Sequence, residues 1–125
     1  MILDNAKILI GDDSIFARKQ IKDMICSFGN FTFIEAADGQ EVIDLFLSEK
    51  PDLVLLDIVM PVKDGIAAVE EIIDADPGAY IIMVSSMGTQ TQLRRAIEAG
   101  ARDFIQKPIN TEQLKTIISK RFEGR

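Results

Sequence analysis

Short apolar runs alternate with stretches of helical periodicity five times along this 125-residue chain. The runs Lys7 to Gly11, Thr32 to Ala36, Asp52 to Leu56, Tyr80 to Val84 and Asp103 to Gln106 have strand length and are rich in aliphatic and aromatic residues. Between and after them, apolar residues recur at helical spacing. These are Ile21, Met24, Ile25 and Phe28; Val42, Leu45 and Phe46; Val69, Ile72 and Ile73; Leu93, Ala96 and Ile97; and Leu114, Ile117 and Ile118. A strand that passes through a helix before the next strand suits a parallel sheet, and Leu53-Val54-Leu55-Leu56 is apolar on both of its faces. The pattern predicts a doubly wound α/β fold, its sheet buried between two helical layers.

Local punctuation agrees with that reading. Ser14 is placed as a helix N-cap, Asp38 with Glu41 and Asn110 with Gln113 as capping-box pairs, and Gly29 and Gly100 as C-terminal stops. With 47% hydrophobic and 27% charged residues and no low-complexity run, residues 1–125 read as one folded domain.

Composition excludes several kinds of activity. The net charge of -6 opposes binding to a phosphate backbone, which calls for clustered positive charge, so no direct nucleic-acid contact is expected. No apolar stretch reaches the ~20 residues that cross a bilayer, and Met1 to Ile10 lacks the plan of a signal peptide, so a cytoplasmic protein with no membrane contact is expected. The chain has no histidine, which removes Ser-His and Cys-His nucleophile pairs and histidine metal sites. Its one cysteine, Cys26, lies beside Ile25 in a helical stretch and reads as a buried or half-buried structural thiol. Chemistry, if any, falls to carboxylates, hydroxyls and lysine.

Those residues cluster where each strand run ends. The first run leads into Asp12-Asp13, the third into Asp57, the fourth into Ser85-Ser86 and the fifth into Lys107-Pro108. Open parallel sheets bind ligands beyond the carboxyl ends of their strands, at the point where the strand order reverses. In a flavodoxin-like (βα)5 fold with order 2-1-3-4-5, the first and third strands are neighbours there, and Asp12, Asp13 and Asp57 converge. Two carboxylates about 5 Å apart repel by roughly 3 kcal/mol at an effective dielectric near 20, so cations are required beside them. Lys107 supplies one charge and an octahedral Mg²⁺ two more. An aspartate so flanked is suited to attack phosphorus and form an acyl phosphate. Singly, an Asp-Asp pair after a strand is a common turn, and serines there are common caps.

Together, Asp12-Asp13-Ser14 after Ile8-Leu9-Ile10, Asp57-Ile58-Val59-Met60-Pro61 with Asp64-Gly65, Ser85, and Lys107-Pro108 resemble the response-regulator receiver family of two-component systems, closest to CheY-type single-domain chemotaxis regulators. The resemblance spans essentially the whole chain. It implies a phosphorelay receiver that takes a phosphoryl group from a histidine kinase onto Asp57. Asp13 and the backbone carbonyl of Val59 would be direct Mg²⁺ ligands, with Asp12 acting mainly through water and Lys107 pairing with phosphoryl oxygens. It further implies a switch in which Ser85 turns toward the phosphoryl group and Phe104 follows inward, reshaping the face of helix 4, strand 5 and helix 5 for a target protein. Signalling to the flagellar motor, a separate phosphatase and a cis Lys107-Pro108 bond belong to the same expectation. So does a catalytic role limited to the protein's own phosphorylation and dephosphorylation.

The chain departs from the family in places. Phe104 stands where many chemotaxis members carry tyrosine, Ser86 where alanine is common, and Gly11 where a larger residue precedes the acid pair, which predicts a looser turn. Val59 and Met87 are apolar at the two positions that flank the water attacking the phosphoaspartate, where fast members carry polar groups. Two rivals remain. One is a receiver cut from a longer transcriptional or enzymatic regulator. The other is a Mg²⁺-dependent phosphatase of the haloacid dehalogenase type, which needs an acid two residues after its nucleophile, where this chain has Val59.

Overall fold

A computed structural model describes residues 6–86 and 89–123. The chain alternates β1 (Ala6–Gly11), α1 (Ile15–Cys26), β2 (Phe31–Ala36), α2 (Gly39–Glu49), β3 (Leu53–Leu56), α3 (Gly65–Ala75), β4 (Ile81–Ser85), α4 (Gln90–Ala99), β5 (Asp103–Gln106) and α5 (Thr111–Phe122). All strand pairs are parallel and the order is β2-β1-β3-β4-β5, the flavodoxin-like arrangement expected.

The continuous apolar runs are explained by two cores, because alternate residues of one strand face opposite sides of the sheet. Leu9, Val54, Leu56, Ile81 and Met83 join the side chains of α2, α3 and α4. Ile8, Ile10, Leu53, Leu55, Ile82 and Val84 join those of α1 and α5. Among the described residues no helix is long and apolar enough to cross a membrane.

The N-caps follow the sequence, with one change of partner and one change of helix stop. Ser14, Asp38 and Asn110 each accept from the backbone N–H three residues on. Glu41 reaches back past its own cap, accepting from the Ala37 N–H at 2.7 Å. Helix α1 ends at Ser27 rather than at Gly29, with the Ser27 hydroxyl donating to the Met24 carbonyl. Gly100 does close α4, at φ 124°, where a Cβ would strike Ile73.

One packing expectation fails, and one helix sits shallower than its apolar spacing alone would place it. Cys26 is exposed, since the turn that buries Ile21 and Ile25 carries the next residue off the inner face. On α4 only Ala96 is buried, while Leu93 and Ile97 are 38% and 44% exposed. The helix rests its small residues, Ala96 and Ala99, against the core, and its larger apolar ones fall on the rim.

Candidate acidic site at the carboxyl edge of the sheet

Register brings the acids together. Gly11 and Leu56 are paired across β1 and β3, so Asp12 and Asp57 leave the sheet side by side, and the Asp57 N–H donates to the Gly11 carbonyl at 2.9 Å. Gly11 is tightly packed rather than a loose turn: a Cβ there would lie 2.6 Å from Val42 Cγ2 and 2.7 Å from Leu56 Cδ1. One carboxylate oxygen from each of Asp12, Asp13 and Asp57 falls within 4.8 Å of the others.

The three acids sit in different surroundings. Asp12 is 2% exposed and fully engaged: its N–H donates to the Ala36 carbonyl, Oδ1 accepts from the Ser14 N–H at 2.9 Å, and Oδ2 accepts from Lys107 Nζ at 2.8 Å. Asp57 is buried, accepting from the Ile58 N–H at Oδ1 and facing Lys107 Nζ at 3.4 Å through Oδ2. Asp13 is exposed. Burial pulls the Lys107 pKa down, but the Asp12 hydrogen bond and the attraction of Asp57 and Asp12 outweigh it, so the ammonium titrates above its ordinary value.

The remaining predicted residues line the same edge. Ser85 is wholly buried at the end of β4, its carbonyl accepting from the Lys107 N–H, and the Lys107-Pro108 bond is cis as expected. Phe104 on β5 is half-buried against the core shared with α2, α3 and α4. Val59 is 56% exposed, in the turn that follows Asp57. Ser86 is exposed just beyond β4, and Met87 lies outside the described residues.

Three features went unread in the sequence. Val62, a β-branched residue, sits at φ 68° in the left-handed region that such residues rarely occupy. The segments next to the acids also carry exposed apolar side chains: Ile15 and Phe16 at the start of α1, and Val59 and Val62 after Asp57. Arg18 reaches back from α1 to the Asp12 carbonyl. Exposed Ile and Phe directly after the acid pair were a visible signal for the second; the first and third had none.

One ammonium, bound to Asp12 and Asp57, beside three acids leaves net negative charge at the site. Asp13→Ala should therefore raise the stability of the metal-free protein by about 1 kcal/mol, the exposed position limiting the gain. Melting in chelator should show a Tm a few degrees higher; a lower Tm means that the acids do not strain one another.

The fold and this edge define a class: a doubly wound α/β domain with a crevice of three aspartates and a lysine at its switch point. Residues 8–119 match the response regulator receiver domain, and the chain belongs to that family. It is 41% identical over 114 residues to chemotaxis protein CheY of Thermotoga maritima, spanning 91% of this chain and 95% of that protein. It is 43% identical over the same shares to chemotaxis protein CheY of Bacillus subtilis. Among solved structures, a chain of the CheX-CheY-BeF3-Mg+2 complex from Borrelia burgdorferi superposes with TM-score 0.87 at 34% identity, covering 94% of this chain and 89% of that one. The chain is thus a CheY-like receiver, of a signalling family rather than a metabolic enzyme.

Proposed function

We propose that residues 1–125 form one receiver unit that accepts a phosphoryl group from a histidine kinase onto Asp57 and thereby changes its protein partners, in chemotaxis signalling to the flagellar motor. The convergence of Asp12, Asp13 and Asp57, with Lys107 bound to the first and last of them, carries this reading. Three carboxylate oxygens and no softer donor suit a hard cation such as Mg²⁺. Asp13, Asp57 and the Val59 carbonyl would hold it directly and Asp12 through water, and the bound ion would neutralise charge on the transferring group.

The chain's own residues perform the rest. Asp57 is buried and held by the Ile58 N–H at one oxygen, which leaves it little freedom and orients the carboxylate for in-line attack. The bond that forms joins its carboxylate oxygen to phosphorus as the bond to the donor breaks. Lys107, already within reach of Asp12 and Asp57, turns to the phosphoryl oxygens. Ser85 donates to that group, and Phe104 moves further in, so that the surface of α4, β5 and α5 presents a different shape to a target. The half-exposed Leu93 and Ile97 of α4 are available to such a contact. The unit acts in the cytoplasm. A haloacid dehalogenase reading finds no support, because Val59 cannot act as the general acid at its position.

Incubation with acetyl phosphate should add one phosphoryl group when Mg²⁺ is present and none in excess chelator, read by intact-mass spectrometry. Beryllofluoride with Mg²⁺ should shift the backbone amide resonances of Ser85 and Phe104. Equal phosphoryl gain with and without chelator means that the acids do not act through a metal.

A further inference from the structure

Arg18 belongs to no expected motif, yet it is anchored more firmly than any other basic side chain on α1. Its side chain is only 13% exposed. Nη1 donates to the Asp12 carbonyl at 2.6 Å, and Nε donates to Glu35 Oε1 at 2.9 Å. Glu35, on β2, is held in turn by Lys22 at 2.8 Å through its other oxygen. The Lys22 hydrogen bond lowers the Glu35 pKa, burial opposes it, and Arg18 adds to the lowering, so this anchor stays charged at neutral pH.

The carbonyl that Arg18 engages belongs to the peptide unit joining Asp12 to Asp13. A peptide unit is planar, so fixing the direction of its oxygen also fixes the N–H and Cα of the following residue. The other side of Asp12 is already fixed, its N–H on the Ala36 carbonyl and its carboxylate on Ser14 and Lys107. Asp13, exposed on this turn, lies between that peptide and the Asp13-Ser14 peptide, whose N–H is held on Asp12 Oδ1, so Arg18 fixes one of its two flanking peptide units.

From this geometry we infer that Arg18, braced by Glu35, is a positioning residue: it holds the Asp12-Asp13 peptide so that the Asp13 carboxylate faces the acid cluster and can bind a divalent cation. The assignment rests on the phosphoswitch reading of that cluster. Charge and position make opposite demands here, which gives the assignment a sign. Removing a cation near three acids should by charge alone tighten Mg²⁺ binding, whereas losing the brace should weaken it. Lysine separates the two effects. It keeps the charge but lacks the rigid planar fork whose Nη1 and Nε point in fixed, separate directions at the Asp12 carbonyl and Glu35.

The test uses the full chain, wild type beside Arg18→Ala, Arg18→Lys and Lys19→Ala, which removes an exposed charge from the same helix. Mg²⁺ affinity is read by isothermal titration calorimetry, and the Asp13 amide ¹⁵N shift is read in the metal-free protein. Both Arg18 variants should bind Mg²⁺ about tenfold more weakly and move the Asp13 resonance, with Lys19→Ala like wild type. Saturating Mg²⁺ should restore their rate of phosphoryl gain from acetyl phosphate. Should Arg18→Ala fail to fold, Arg18→Lys and Glu35→Gln carry the same expectation. An Arg18→Lys variant with wild-type affinity, tighter binding in Arg18→Ala, or a lowered Tm with Mg²⁺ affinity intact overturns the assignment and leaves the receiver reading standing. A wild-type protein that neither binds Mg²⁺ nor gains a phosphoryl group overturns both.

Discussion

Gly65→Ala is expected to cost about 3 kcal/mol or more, a drop of roughly 10 °C in Tm, though the added group is one methyl. Gly65 opens α3 directly after its cap Asp64, which accepts from the Ala67 N–H at 2.8 Å. There the helix start closes back on the segment that leaves β3 and carries the acid: the Gly65 N–H donates to the Ile58 carbonyl at 2.7 Å. A Cβ at Gly65 would lie 2.0 Å from the Asp57 carbonyl oxygen and 2.9 Å from its carbon. Those are backbone atoms, so no side-chain rotation can relieve the clash. Either α3 moves away and loses its hold on Ile58, or the Asp57 peptide tilts and misdirects the carboxylate. The variant should therefore gain phosphoryl groups slowly even where it remains folded. Thermal melting with acetyl phosphate kinetics reads both effects; a variant with wild-type Tm and rate would show that this close approach does not constrain the site.

The second large effect is on the lifetime of the phosphorylated form. Hydrolysis of an acyl phosphate on Asp57 needs a water held in line with the phosphorus, and by family resemblance the positions of Val59 and Met87 would be the two that flank that approach. Val59 is 56% exposed at the rim beside Asp57, placed to meet such a water but without a group that can accept or donate a hydrogen bond. The phosphoaspartate should accordingly outlast that of the fast chemotaxis members, and rapid signal decay would require a separate phosphatase that supplies a polar side chain. Val59→Asn combined with Met87→Glu should speed the decay of purified phosphoprotein by about ten- to a hundredfold, the usual contribution of a positioned polar group. Decay no faster than wild type removes water positioning at these residues as the cause.

What could be read in advance follows from where the physics is local. The alternation of strands and helices and both helical layers were legible because the strands are apolar at successive positions and the helices are not, a contrast that Leu53-Val54-Leu55-Leu56 against Val69, Ile72 and Ile73 makes plain, whereas the strand order was taken from the flavodoxin-like fold and not from the pattern. Asp12, Asp57 and Lys107 were legible because each follows directly on a strand, and the carboxyl edge of a parallel sheet gathers such residues. The exposure of Leu93 and Ile97 was not, because periodicity marks an apolar face without saying how close the helix comes to the core. That distance is set by Ala96 and Ala99. Gly11 was misread as slack because a missing side chain looks the same in sequence whether the space is empty or filled by Val42 and Leu56. The bond from Arg18 to the Asp12 carbonyl joins a side chain to a backbone atom six residues away, and neither end carries a pattern.

Everything proposed for this site depends on Asp57 being the residue that takes the phosphoryl group. Wild type and Asp57→Asn, each incubated with acetyl phosphate and Mg²⁺, are compared by intact-mass spectrometry. The account predicts one added phosphoryl group on the wild type and none on Asp57→Asn, which keeps the shape of the side chain but loses its nucleophilic carboxylate. A stoichiometric phosphoryl group on Asp57→Asn would contradict it.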